Sequence, residues 1–279
     1  MSDVRTEVSA ATATDAGSSH HGGFIWYELM TTDPEGAKAF YDSVVGWSIG
    51  PAHDAIGYRM IGRSDGGNAG GLLPLTAEMQ QHGARPAWLG YINVPDVDDA
   101  LAAIEQVGGR TLMPARDIDQ AGRIALVSDP TGAAFYVMTP APPSGSETKG
   151  SDVFSVDQPQ HVRWNELSTT DPDRAVEFYA RQFGWKQEGE MDMGELGKYR
   201  FVQHDGVTIG AIMPKMPQLP MSLWSFYIGV DDVDRAVQAT TAGGGSILNG
   251  PMEIPGGEFA VNAMDPQGAA FGLVGPRKA

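Results

Sequence analysis

Apolar and polar positions between residues 24 and 47 fall into two successive periods. Residues 24–30 are aromatic and apolar apart from Glu28, which predicts a strand. Its alternation puts Trp26, Glu28 and Met30 on one face and Tyr27 and Leu29 on the other. Ala37, Phe40, Tyr41 and Val44 then recur at helical spacing, one apolar stripe turned to a core. Asp33 can cap that helix, Pro34 suits its first position, and Thr32 with Glu35 has capping-box spacing. Gly46 ends it. The same pattern returns over residues 169–185, where nine of the seventeen residues repeat those of 31–47. Asp171 stands 138 positions after Asp33, about one domain length. The chain reads as one module written twice, with Phe-Tyr in each helix read as core.

The rest of each module follows one order. In the first, strands are expected at 58–61, 68–73 and 88–94, with a loop at 74–86. Val97, Leu101, Ile104 and Val107 mark a second helix, stopped by Gly108-Gly109. Strands at 123–127 and 133–138 flank the turn Asp129-Pro130-Thr131-Gly132. In the second, strands are expected at 163–167, 199–203, 207–213 and 224–230, then a helix from Val233. A last pair at 260–264 and 269–274 flanks Asp265-Pro266-Gln267-Gly268. Val94-Pro95-Asp96-Val97 matches Val230-Asp231-Asp232-Val233. Each module therefore holds two β-α-β-β-β units. The expected fold is α+β, with curved mixed sheets, helices outside and a concave cup inside. The boundaries read as a disordered tail at 1–23, a first domain at 24–140, a linker rich in Pro, Ser and Gly at 141–159, and a second domain at 160–276.

Charge and cysteine usage narrow the partners. With 35 acidic against 19 basic residues, the formal net charge is −16, a surface that repels phosphate backbones and anionic membranes. Nucleic acid and membrane are therefore not expected as partners. No apolar run approaches the length of a membrane helix, and residues 1–23 lack the apolar core of a secretory signal. The absence of cysteine removes disulfides, thiolate metal sites and thiol nucleophiles, and fits a cytoplasmic protein. The six histidines read as solvated or structural, including His20-His21 in the tail.

The order of elements resembles the vicinal oxygen chelate superfamily: glyoxalase I, bleomycin-resistance proteins and extradiol dioxygenases. Asp33-Pro34, Phe40-Tyr41, Gly46-Trp47, Val94-Pro-Asp-Val97 and Asp129-Pro-x-Gly132 carry the resemblance, and all recur in the second module with Val230-Asp-Asp-Val233 in place of Val-Pro-Asp-Val. The resemblance implies two tandem glyoxalase-like domains of a bacterial type. Metal-dependent members of that superfamily place ligands at three strand positions per module. Here those positions hold Trp26, Leu89 and Tyr136, then Trp164, Ser225 and Gly272. None is a usual divalent-metal ligand, so no metal and no cofactor is expected.

Strand alternation places Trp26, Glu28, Met30, Leu89, Tyr91, Asn93, Tyr136 and Met138 on the first concave face. It places Trp164, Glu166, Ser168, Ser225 and Tyr227 on the second. An aromatic cup with a few polar groups is the usual make-up of a small-molecule site. Glu28 and Glu166 are the candidate catalytic groups, since a carboxylate among aromatic rings is partly desolvated and its pKa rises toward a general-base range. The competing expectation pairs each with the arginine of a repeated Tyr-Arg, Arg59 or Arg200. Candidate ligand contacts are Trp26, Tyr91, Tyr136, Trp164, Tyr227, Trp224, Met213 and Met216, with the Met-rich loop at 213–221 favouring the second cup. Two function classes stay open. One binds or turns over a small apolar or aromatic molecule without metal. The other is a metal-dependent lyase, isomerase or dioxygenase. Either works as a monomer or homodimer.

Overall fold

Two sheets of eight strands, one per half of the chain, carry the molecule. The computed structural model describes residues 21–53, 55–141, 150–217 and 219–278. The first half runs β1 (Phe24–Thr31), α1 (Pro34–Val45), β2 (Ser48–Ile49), β3 (Arg59–Gly62), β4 (Asn68–Pro74), α2 (Ala77–Gln81), β5 (Ala87–Asn93), α3 (Val97–Gln106), β6 (Arg110–Ile118), β7 (Gly122–Ser128) and β8 (Ala134–Pro140). The second runs β9 (Val162–Thr169), α4 (Pro172–Phe183), β10 (Lys186–Asp192), β11 (Lys198–His204), β12 (Val207–Pro214), β13 (Leu223–Gly229), α5 (Val233–Ala242), β14 (Ser246–Glu253), β15 (Phe259–Met264) and β16 (Ala270–Gly275). Strand orders are β2-β3-β4-β1-β5-β8-β7-β6 and β10-β11-β12-β9-β13-β16-β15-β14. Two β-α-β-β-β units thus meet along the antiparallel β1–β5 pair, and again along β9–β13.

The helix expected after each first strand forms as its sequence dictates. Asp33 caps α1 by accepting from the Gly36 N–H, and Asp171 caps α4 by accepting from the Arg174 N–H. Gly46 and Gly184 end them in the left-handed region that a side chain disfavours. The outer strands β2, β6, β10 and β14 and the short helix α2 were not evident as elements in the sequence. An edge strand meets water on both faces, so it has no apolar alternation to read: every residue of β10 is exposed.

The two halves share one core. Helix α1 lies against α5 and places Phe40 on the Phe271 ring, 5.8 Å between centroids, while Phe178 of α4 meets Phe135 of β8 at 6.3 Å. The Tyr41 hydroxyl donates to Asp265 at 3.1 Å, and Tyr179 donates to Asp129 at 3.2 Å. Trp47 donates to the Gln160 carbonyl at 2.9 Å, and Trp185 to the Gly22 carbonyl at 2.8 Å. Each repeated motif is thus half of a reciprocal clasp. The Tyr and Trp of one module grip the Asp turn and the strand entry of the other.

Residues 1–20 of the expected tail and 142–149 of the expected linker lie outside the described residues. The described parts of both segments are tied down. Gly22 bonds Asn93, and Val153 is buried in the core. The Ser151 hydroxyl donates to the Ile25 carbonyl, and Arg63 pairs with Asp152.

Candidate functional site

The alternation of β1 divides its side chains as expected. Tyr27 and Leu29 join the shared core, while Trp26 and Met30 border a separate apolar cluster with Leu73, Leu89, Tyr91 and Tyr136. That cluster is the first cup. Glu28 stands in it, 3% exposed, opposite Leu89 and beside Gly71 in register. The Tyr91 hydroxyl donates to Glu28 Oε2 at 2.9 Å, and the Tyr58 hydroxyl also bonds the carboxyl. The Trp26 indole N–H donates in turn to Tyr58 at 2.8 Å. Tyr136 stacks on Tyr91 with centroids 4.2 Å apart. Glycine at position 71 makes room for this: a Cβ there would stand 1.9 Å from the Tyr58 hydroxyl oxygen.

Burial is the main cause of a shift that lifts the Glu28 pKa to about 7, partly opposed by the Tyr91 and Tyr58 hydrogen bonds and the Arg116 charge. Glu28 Oε1 is buried and has no hydrogen-bond partner among the described residues. An orphaned buried oxygen is costly unless something else satisfies it.

The second cup repeats the frame with different filling. Trp164 donates to Tyr199 at 2.7 Å, Tyr199 donates to Glu166 Oε2 at 2.7 Å, and Tyr227 donates to Oε1 at 3.2 Å. Asn262 donates to the Tyr227 hydroxyl at 2.7 Å. Both Glu166 oxygens are satisfied and the residue is only half-buried, though desolvation still raises its pKa. Equivalent positions have changed character: Leu89 and Leu126 of the first cup become Ser225 and Asn262 of the second.

The pairing of each glutamate with a strand arginine does not occur. Arg59 reaches Glu35 and Arg200 reaches Asp173, both at helix starts on the opposite face. Tyrosine and arginine are neighbours on a strand and point opposite ways, so the tyrosine meets the carboxylate. The sequence held this signal in the repeated Tyr-Arg, but a salt bridge was the stronger prior. Trp224 is also misplaced by the sequence reading. It faces the helices, donating to Tyr179 at 3.0 Å inside the shared core, because it alternates with Ser225 and Tyr227. Met213 lies level with Ser168 on the second cup's face, and Met216 sits half-buried in the following turn.

The covers of the two cups differ. Between β4 and β5, residues 75–86 include α2, capped by Thr76, and bring Leu75, Met79 and Ala84 onto the first cluster. Between β12 and β13 only residues 215–222 intervene, and Met221 is exposed. Two surface hollows, one beside Lys186 and Asp205, the other beside Gln160 and Arg235, border neither glutamate.

The positions where the superfamily would place metal ligands do not fit a divalent ion. Trp26 and Trp164 present N–H donors already committed to tyrosines. Leu89 has no donor atom, and burial holds the Tyr136 hydroxyl well above its usual pKa. The Tyr227 ring covers Gly272, 2.4 Å from where a Cβ would stand. Among the described residues no three His, Cys, Asp or Glu side chains converge.

The repeat, the sheet order and the paired cups define the fold class, and comparison with known proteins gives the family. The chain belongs to the Glyoxalase/Bleomycin resistance protein/Dioxygenase superfamily, whose profile matches residues 23–137 and again 158–273. CFP32 of Mycobacterium tuberculosis, which carries a provisional glyoxylase name, is 34% identical over 255 residues, covering 90% of this chain and 94% of that protein. The anthracycline biosynthesis protein DauV of Streptomyces sp. strain C5 is 29% identical over 280 residues, covering 92% and 94%. Among solved structures, the Mn(II)-bound glyoxalase from Novosphingobium aromaticivorans superposes with a TM-score of 0.62 at 17% identity, over 92% of this chain and 83% of that one. At that identity the likeness is one of fold. Among the described residues no helix is long and apolar enough to cross a membrane.

Proposed function

We propose that the chain binds a small aromatic or apolar molecule in its first cup without a metal, and that Glu28 takes a hydroxyl or N–H of that molecule. The observation that carries this reading is the orphaned Glu28 Oε1, buried among Trp26, Tyr58 and Tyr91. A ligand donor would satisfy the oxygen, and flat rings would find flat partners. The sequence had favoured the second cup for its methionine loop, but both oxygens of Glu166 are already bonded. With a pKa near neutrality, Glu28 is also the group placed to accept a proton if the bound molecule is turned over. Kinship to a protein named for anthracycline biosynthesis favours a fused aromatic ligand bearing hydroxyls.

The test is isothermal titration of chelator-treated protein with 2-naphthol at pH 8, where Glu28 is ionised. Binding should persist without metal, and Glu28→Gln should weaken it about tenfold, the difference between a charge-assisted and a neutral hydrogen bond. Glu166→Gln should change it less than twofold. Binding that needs an added divalent metal, or that responds only to Glu166, sinks the reading.

A further inference from the structure

The first cup has a second polar end. Strand β6 is the outer strand of its sheet, and Arg116 pairs in register with Ile124, whose side chain belongs to the cup cluster. Arg116 therefore stands on the cup side of the rim. Its charge is felt by both Glu28 and Tyr136, so it stands near the cup they line. Arg116 is exposed and makes no hydrogen bond or ion pair among the described residues. Three other arginines of the first module are committed elsewhere. Arg59 pairs with Glu35, Arg63 with Asp65 and Asp152, and Arg123 with Asp98 and Asp117. Ten of the seventeen described arginines and lysines pair with a carboxylate; Arg116 is among the seven that do not, and it stands on the cup side of the rim.

We infer that the molecule taken by the first cup is an aromatic acid, with its hydroxyl or N–H on Glu28 at the floor and its anionic group on Arg116 at the rim. This rests on the reading of the first cup as the ligand site and adds the chemical class. The two ends are complementary: the floor accepts a proton donor in a desolvated place, and the rim offers up to five N–H donors to an anion in water. Between them lie Trp26, Leu126, Met113 and Met138, partly buried and apolar. The register that pairs Arg116 with Ile124 pairs Met252 with Ala260 in the second cup, so the second rim lacks the cation. The molecule thus carries an internal comparison, two cups on one frame with one anion contact.

Three naphthalenes separate the claims: 6-hydroxy-2-naphthoate, 2-naphthoate and 2-naphthol, each titrated at pH 8 into the full chain and into Arg116→Met and Arg116→Lys. The intact protein should bind hydroxynaphthoate at least tenfold more tightly than 2-naphthol. In Arg116→Met the ratio of the two affinities should fall about tenfold, and Arg116→Lys should restore most of it. Raising salt should erode the ratio, as expected of a rim charge. A ratio of one in the intact protein, or one indifferent to Arg116→Met, overturns the inference while the cup remains a site for neutral aromatics. If none of the three probes binds, the reading of the cup itself fails. Position 116 lies on an exposed outer strand, and thermal melts of both variants verify that folding is intact.

Discussion

Glu28 is held where a carboxylate is least comfortable. Tyr58 from just before β3, Tyr91 from β5, Tyr136 from β8 and Arg116 from β6 face it, and only Arg116 carries a charge near neutral pH. Burial raises its pKa from 4.5 to about 7. Between those values the folded protein keeps a proton that the unfolded chain has lost. The stability from this group is full below pH 4.5 and is lost as pH rises through 7. The loss is of order 3 kcal/mol. Replacing Glu28 by Gln removes the ionisation, so Glu28→Gln should be at least as stable as the parent at pH 8. Its advantage should shrink toward pH 5. Urea midpoints at the two pH values measure this. A variant weaker than the parent at pH 8 would make Glu28 an architectural residue. The sequence showed that Glu28 and Glu166 are equivalent and face the cups. It did not show that one is orphaned and the other satisfied, because that depends on Tyr58 and Tyr199 reaching across from another strand. Nor did it show Arg116, which sits on an edge strand that alternation could not reveal.

At the scale of elements, the cover decides which cup is closed. Residues 75–86 are long enough to form α2 and lay Met79 on the cup, while between β12 and β13 the Leu219 N–H bonds the Met216 carbonyl. The sequence reading weighed the methionines of the second loop and passed over the length of the first. A methionine packed on a cup holds what lies beneath it and adapts to its shape. Met79→Ala should therefore speed 2-naphthol dissociation severalfold in stopped-flow tryptophan fluorescence. Met216→Ala should leave that rate within twofold. The reverse pattern would move the site to the second cup. Helices α1 and α4, by contrast, were legible in full. Cap, first-turn proline, apolar stripe and terminal glycine all sit within the same short stretch, so α1 and α4 needed no tertiary information.

At the scale of the whole molecule, the repeat was legible but its purpose was not. Phe-Tyr reads as core in each helix, which it is. Nothing in one module's pattern says that the core belongs to the other module as well. The structure answers with contacts that come in pairs: Tyr41 on Asp265 and Tyr179 on Asp129, Trp47 on Gln160 and Trp185 on Gly22. A module folded alone would expose Phe40 or Phe178 and leave Asp129 or Asp265 facing water. Burying a phenylalanine that Phe40→Ala would remove is worth about 3–5 kcal/mol, a large fraction of the stability of a single domain. The clasp also joins the two cups through β1 and β9, where the Tyr27 hydroxyl donates to Asn165, the neighbour of Glu166. Unfolding should therefore be one event. Denaturation followed by tryptophan fluorescence and by far-ultraviolet circular dichroism should give coincident curves. Phe40→Ala in the first module should shift the single transition rather than split it, although its lost partner Phe271 lies in the second. Two separable transitions, with only one moved by Phe40→Ala, would show that the modules fold independently and that the reciprocal contacts form afterwards.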